Sequence, residues 1–280
     1  MSQGFDARVT PARPDLAAVS LEGKVTAARF VSGRAVRVQT AIADLRRAPS
    51  DDAALETQAL HGEAFTIYDE KDGWAWGQAA LDSYVGYARS DSFAVMEAPT
   101  HRVTAMATAL FAAPDAKGVA RAILPMGAKL AIAQGAGRFA RLADGFYAYT
   151  DHIVPLGARV PDWVAVAERF LGVPYLWGGK THRGVDCSGL VQIALEAAGI
   201  ASPRDTDMME SALGTALALD AALQRGDLVF WKGHMGAMLD ETRLLHANAT
   251  SMQVSIEPIA DARARIEKAD GLSMRTIKRL

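Results

Sequence analysis

A chain of 280 residues that is half hydrophobic carries enough apolar side chain for more than one core, and its length suggests two or three domains. With 30 Lys and Arg against 32 Asp and Glu, the net charge of −2 leaves no basic excess to hold a phosphate backbone, which argues against nucleic acid as a partner. One cysteine excludes an intrachain disulfide and a multi-cysteine zinc site. No closely spaced histidine pair suggests a metal hydrolase, and no run of about 18 apolar residues suggests a membrane span. The expectation is a protein with no metal, no cofactor and no membrane segment. Asp6, Arg8, Arg13 and Asp15 interrupt the stretch where a signal peptide would carry its apolar core, so a cytoplasmic location is expected, with export by another route left open. The sequence does not speak to oligomeric state.

Residues 1–35, with Pro11 and Pro14 and little periodicity, read as an extended leader packed along a domain surface. Residues 36–98 read as short strands: Val36-Arg37-Val38, Phe65-Thr66-Ile67-Tyr68, Trp74-Ala75-Trp76-Gly77-Gln78 and Tyr84-Val85-Gly86-Tyr87, broken by turns such as Lys71-Asp72-Gly73. Short strands at this spacing suggest a small β-barrel. Residues 99–156 repeat the plan: Leu45, Pro49, Gly62 and Trp74 have counterparts 65 positions later in Leu110, Pro114, Gly127 and Phe139. A constant offset predicts a second copy of the barrel.

From 157 to 280 the character changes. Asp162 caps a predicted helix bearing Trp163, Val166, Ala167, Phe170 and Leu171, stopped by Gly172 and Pro174. A second helix opens at Cys187, with Leu190, Val191, Ala194, Leu195 and Ala198 as its stripe and Gly199 as its end. Strands are predicted at 227–231, 234–239, 243–249, 254–258 and 274–280. Helices followed by an antiparallel sheet make an α+β arrangement.

Cys187, within Asp186-Cys187-Ser188-Gly189, sits in the first turn of its helix. The thiolate is the nucleophilic form, and a helix N-terminus is one of the places where a thiol pKa falls without a metal. A cysteine nucleophile needs a base, and the base needs an orienting group. A symmetric hairpin turning at Asp240-Glu241-Thr242 sets Leu239 opposite Arg243, Gly236 opposite His246 and His234 opposite Asn248. All four side chains then share one face, with His234 and His246 as diagonal neighbours about 7–8 Å apart. By this count either His246 or Asn248 can orient His234.

The segments Pro174-Tyr175-Leu176-Trp177-Gly178-Gly179, Asp186-Cys187-Ser188-Gly189-Leu190-Val191, Gly226-Asp227-Leu228-Val229-Phe230, His234-Met235-Gly236 and Leu245-His246-Ala247, in this order, resemble the NlpC/P60 cysteine peptidases. Thr57-Gln58-Ala59-Leu60-His61-Gly62-Glu63 and Asp82-Ser83-Tyr84-Val85-Gly86-Tyr87 resemble bacterial SH3 domains. The resemblance implies a papain-like catalytic domain at 157–280, preceded by two SH3-like barrels at 36–98 and 99–156. The combination is similar to intracellular γ-D-glutamyl-L-diamino-acid endopeptidases that recycle murein peptides. It implies Cys187 as nucleophile, His234 as base, His246 as its orienter, and the Cys187 NH with the Tyr175 hydroxyl as oxyanion donors. It further implies that Asp186 and Ser188 hold the free α-amine of an N-terminal L-alanine, with Tyr84 and, less directly, Glu63 as the far wall of the pocket. In Pro203-Arg204-Asp205-Thr206, Arg204 would meet a substrate carboxylate, Asp205 would brace Arg204, and Thr206 would hydrogen-bond the peptide. The glutamine common shortly after that segment is absent, Asp207-Met208-Met209 standing there; Met235 and Ala237 replace the usual valine and isoleucine. The expected partner is a murein peptide, L-Ala-γ-D-Glu followed by diaminopimelate or lysine. Two other readings use the same residues: an amidase, acyltransferase or exported wall hydrolase, and a non-catalytic protein that binds wall peptides.

Overall fold

The computed structural model describes residues 5–271 and 273–280, and the chain divides into two units, Met1–Leu156 and Gly157–Leu280. In the first unit the period-2 pattern is visible strand by strand. Along Ala64–Lys71, Phe65 and Ile67 are buried while Thr66 and Tyr68 are half-buried. That strand belongs to a seven-stranded sheet ordered 55–60, 42–46, 85–89, 74–79, 64–71, 34–38, 93–94, wrapped on Val36, Val38, Leu45, Phe65, Ile67 and Phe93. The leader joins this packing. Leu16 and Ala17 are fully buried, the Arg8 carbonyl accepts from the Val85 NH, and the Arg13 guanidinium lies 4.4 Å from the Trp76 ring centroid while donating to Tyr87 Oη and Asp69.

The segment after residue 98 forms a five-stranded sheet (120–125, 107–111, 147–149, 139–142, 132–136) and a three-stranded one (129–130, 101–103, 153–155) around Leu110, Leu124, Leu130, Leu142 and Ile153. The 65-residue offset reappears as structure. Leu45 and Leu110 are each buried in a strand that bulges at the following residue. Gly62 and Gly127 both take positive φ, 76° and 87°, and Trp74 and Phe139 each open a strand. The two segments touch at Gly62. The Lys129 NH donates to the His61 carbonyl at 2.7 Å, and Lys129 Nζ is 3.6 Å from Glu63. Glu63 is 2% exposed and accepts from the Leu60 NH, so it is an internal carboxylate and not a surface charge.

The second unit has four helices, α1 (Trp163–Glu168), α2 (Cys187–Ala198), α3 (Thr206–Ala212) and α4 (Ile259–Asp270), and a six-stranded sheet ordered 215–217, 276–279, 228–231, 234–238, 243–248, 253–258. Asp162 caps α1 through the Val164 and Ala165 NH groups as expected, but the helix stops at Glu168, leaving Leu171 half exposed outside the stripe. Helices α3 and α4 and the strand Thr215–Leu217 were not predicted. The molecule is mixed helix and sheet and rich in strand. No helix among the described residues is long and apolar enough to cross a membrane.

Gly62 offers a test of the first unit. Its φ is strained for an L-residue, and an added Cβ would lie 2.1 Å from the Lys129 carbonyl oxygen, whereas Gly73 has a similar φ of 78° with nothing nearby. Gly73→Ala is expected to cost about 1 kcal/mol from backbone strain alone and Gly62→Ala at least about 2 kcal/mol, the excess coming from the clash. Thermal unfolding of the two variants side by side measures the difference.

Candidate active site

The position of Cys187 follows from Asp186. Asp186 is the N-cap of α2, accepting from the Gly189 NH at 2.7 Å, which makes Cys187 the first helical residue. Its other oxygen accepts from the Gly178 NH at 2.8 Å, at a turn closed by the Gly179 NH on the Leu176 carbonyl with Gly178 at φ 75°. The Arg204 guanidinium grips the same carboxylate in a fork, 2.9 Å to Oδ1 and 2.7 Å to Oδ2, and also donates to Ser188 Oγ at 2.8 Å. Ser188 in turn donates to Asp186 at 3.4 Å. Gly189 is required by close approach: a Cβ there would sit 2.3 Å from the Gly179 carbonyl oxygen.

This network supplies partners that the sequence did not show. The Asp186 carboxylate is not an open anion awaiting a substrate ammonium, because Arg204 and two backbone NH groups already satisfy it. The Ser188 hydroxyl is committed to the same network, between Arg204 and Asp186. Arg204, 1% exposed, is a buried partner of Asp186 and does not face a substrate carboxylate. Asp205 takes the N-cap position of α3 without a side-chain cap bond, and its carbonyl accepts from the Met209 NH. Thr206 opens α3 and brings Oγ1 to 3.6 Å from Cys187 Sγ, so it meets the candidate nucleophile itself.

The two candidate histidines lie on the adjoining hairpin. Gly233 at φ 75° closes a two-residue turn that pairs Trp231 with His234, placing His234 at the start of strand His234–Met238. The next ladder pairs Ala237 with Leu245 and Met238 with Leu244. Continued along the strand, that register sets Gly236 against His246, where an added Cβ would lie 3.0 Å from the His246 Cβ. The rings meet: His234 Nε2 is 2.8 Å from His246 Nδ1. Asn248, the other candidate orienter, is occupied elsewhere, donating to Ser255 and accepting from Ser251. The strand that begins with His234 packs against α2, and the Met235 NH, one residue after His234, is among the groups that favour the Cys187 thiolate. Sequence reasoning missed Glu257, whose Oε1 lies 2.8 Å from His246 Nε2, out of line with the ring N–H. Glu257 stands opposite Leu244 in the neighbouring strand and is clasped by Arg265 of α4.

The electrostatics favour neutral groups. Burial, with Asp186 beside it, pushes the Cys187 thiol up to about 11, against the contributions of Thr206, the Met235 NH and Arg204. The expected depression at a helix start is therefore overridden. Burial holds His234 down to about 4, with Arg265 adding to the effect. His246 falls to about 3 through burial, then His234 and Arg265. At neutral pH the thiol and both imidazoles rest uncharged. Tyr175, half-buried, is held by its NH on the Met252 carbonyl and pairs with Val185. Burial and the nearby Cys187 and Asp186 raise its phenol pKa, so it stays protonated and able to donate a hydrogen bond. In the first unit, Tyr84 is buried and donates to Glu56 at 3.4 Å. Among the described residues no group of His, Cys, Asp and Glu forms a metal site.

Residues 172–266 match the NlpC/P60 family, and residues 45–93 match the bacterial dipeptidyl-peptidase SH3 domain. The probable endopeptidase NlpC of Escherichia coli is 33% identical over 111 residues, 34% of this chain and 71% of that protein. The chain belongs to the NlpC/P60 family. Its NlpC/P60 domain thus comes from a peptidoglycan-hydrolysing peptidase family. A γ-D-glutamyl-L-lysine dipeptidyl-peptidase of Bacillus cereus is 27% identical over 238 residues, 73% of this chain and 71% of that protein. Dipeptidyl-peptidase 6 of Lysinibacillus sphaericus is 33% identical over 96 residues, about a third of either chain (34% and 35%). The crystal structure of an NlpC/P60 family protein from Bacillus cereus shares the fold, with a TM-score of 0.75 over 88% of this chain and 99% of that one at 20% identity.

Two outcomes are expected of this NlpC/P60 site. Arg204→Met leaves Asp186 buried without its cation and is expected to cost about 3–5 kcal/mol in chemical denaturation. Cys187 is the sole cysteine, so iodoacetamide reads one thiol. Its alkylation rate is expected to climb about tenfold per pH unit between pH 7 and 9, following a thiol that ionises late. A plateau already reached below pH 7 would instead mean a resting thiolate–imidazolium pair.

Proposed function

We propose that this chain is a cysteine peptidase that hydrolyses the γ-D-glutamyl–diamino acid bond of murein peptides and releases L-Ala-D-Glu. The observation that carries the reading is Cys187 at the start of α2, a helix packed against the two strands on which His234 and His246 meet at 2.8 Å. The γ-D-glutamyl-L-lysine linkage named for the Bacillus cereus relative supports the substrate class. His234 Nε2 is engaged with His246, which leaves Nδ1 for the thiol proton. As sulfur attacks the carbonyl carbon, that proton moves to His234 and the C–N bond then breaks as His234 returns it to the departing amine. Water attacks the thioester with His234 as base, and carboxylate and thiol are restored. The Cys187 NH, which has no partner within its helix, and the Tyr175 hydroxyl are the donors for the oxyanion.

A dipeptidyl-peptidase acts from a free amino end, and we extend that to this chain, with Asp186 held in place by Arg204. We also propose a second SH3-like barrel at 99–156, supported by the shared bulge and glycine positions, and a cytoplasmic role in recycling released wall peptides.

The purified protein is to be incubated with L-Ala-γ-D-Glu-diaminopimelate and its lysine form, with the N-acetylated peptides, and with intact sacculi. Cleavage of the free peptides alone is the expected result, and preference for sacculi overturns the recycling reading. Cys187→Ala is expected to abolish turnover by a factor of about 10⁴ or more while keeping the unfolding transition, because one small buried side chain replaces another. Retained turnover in that variant would remove the assigned nucleophile.

A further inference from the structure

We infer that Glu257 is a positioning residue that selects the tautomer of both catalytic histidines. The cysteine-peptidase reading supplies its kinetic consequence, but the tautomer itself is independent of that reading. The geometry is a line of contacts: His234 Nε2 to His246 Nδ1 at 2.8 Å, His246 Nε2 to Glu257 Oε1 at 2.8 Å, and Glu257 Oε1 to the Arg265 guanidinium, which also donates to Thr250 Oγ1 at 2.8 Å. His246 is fully buried, and Glu257 Oε1, though off the axis of the ring N–H, lies 2.8 Å from its Nε2.

Each neutral imidazole carries one proton, and the neighbours decide where. An unprotonated His246 Nε2 would hold its partial negative charge 2.8 Å from a carboxylate oxygen, which is repulsive even off the lone-pair axis. The proton therefore sits on Nε2, and His246 Nδ1 becomes an acceptor. An accepting Nδ1 requires His234 to donate from Nε2, which leaves His234 Nδ1 with its lone pair. That is the form a base needs in order to take the thiol proton. Without the carboxylate, the opposite pair of tautomers closes the same His–His hydrogen bond equally well and puts a proton on His234 Nδ1, where it cannot accept. Arg265 fixes the carboxylate from α4 and offsets its charge, so Glu257 directs the protons without making either histidine cationic. The charged and titratable groups involved are Arg265 from α4, Glu257 from its strand, the two histidines, and Cys187 with Asp186 and Arg204 around the helix start.

The test compares Glu257→Leu, Glu257→Gln and the double variant Glu257→Leu/Arg265→Leu, which removes the cation that the first variant leaves unopposed. Both neighbours of Oε1 are donors, so glutamine is expected to present its oxygen and keep the arrangement. Histidine ¹⁵N spectra at pH 7 should show Nε2–H at both His234 and His246 in the wild type and the glutamine variant, and mixed tautomers in both leucine variants. On the tripeptide, the leucine variants should lose about 10- to 100-fold in kcat with KM changed less than twofold, and glutamine should restore most of the loss. A single Nε2–H tautomer persisting in the double variant overturns the inference, as does an equal loss of kcat in glutamine and leucine variants. If the wild type cleaves none of the peptides, the functional reading fails, and the spectra still decide whether Glu257 sets the tautomers.

Discussion

The catalytic unit depends on one buried carboxylate. Asp186 joins three stretches of chain that would otherwise be independent: the turn at 176–179 through the Gly178 NH, the first turn of α2 through the Gly189 NH, and the segment before α3 through Arg204. A charge this buried is unfavourable alone, and the forked guanidinium with two backbone donors is what makes it tolerable. The result is a helix start held from both sides, with the sulfur presented to Thr206. Positioning and ionisation then compete. The anion that anchors Cys187 also opposes its thiolate, and burial works in the same direction. The balance leaves the resting thiol neutral, so the proposed attack needs a base to take its proton.

How much of this was legible in the sequence varied with the range of the interaction. The His234–His246 relationship is a counting problem: a short turn fixes the register, and side chains alternate, so a local pattern gives a three-dimensional neighbour. The role of Asp186 is not local. The sequence shows a carboxylate next to a nucleophile, but the cation that fills it lies 18 residues on, and only packing reveals that Arg204 turns inward. Helix α4 had a weak signal, with Ile259, Ala262 and Ile266 at helical spacing among charged residues and Gly271 at its end with φ 66°. The intervening Asp261, Arg263, Arg265 and Glu267 obscured the stripe. Glu257 went unseen because its partner is in the neighbouring strand, and its helix was not anticipated.

The first unit shows the same distinction. The offset of 65 residues was readable because it rests on residues with fixed backbone or core duties: glycines that must take positive φ and leucines that sit under a bulge. Glu63 was not readable. Its acid side chain suggested a surface or a pocket wall, yet it is buried at the junction of the two segments, accepting from the Leu60 NH and close to the Lys129 amine. In both units the misread residues are charged groups buried with a partner distant in sequence, a class that local pattern treats as solvent-facing.

A histidine as the orienting group suits this environment better than a carboxylate would. A second anion in contact with His234 would stand in the same buried site as Asp186 and would stabilise an imidazolium there, whereas the neutral His246 orients the ring without adding charge. The cost of that choice is ambiguity, because two neutral imidazoles can share their hydrogen bond in either sense. A carboxylate one step further out, already balanced by Arg265, removes the ambiguity while its charge stays partly exposed. The strand that carries Glu257 and the helix that carries Arg265 therefore belong to the proton inventory of the site as well as to the scaffold. By the proposed tautomer selection, a substitution of Arg265 on α4 would change which nitrogen of His234 is free to accept.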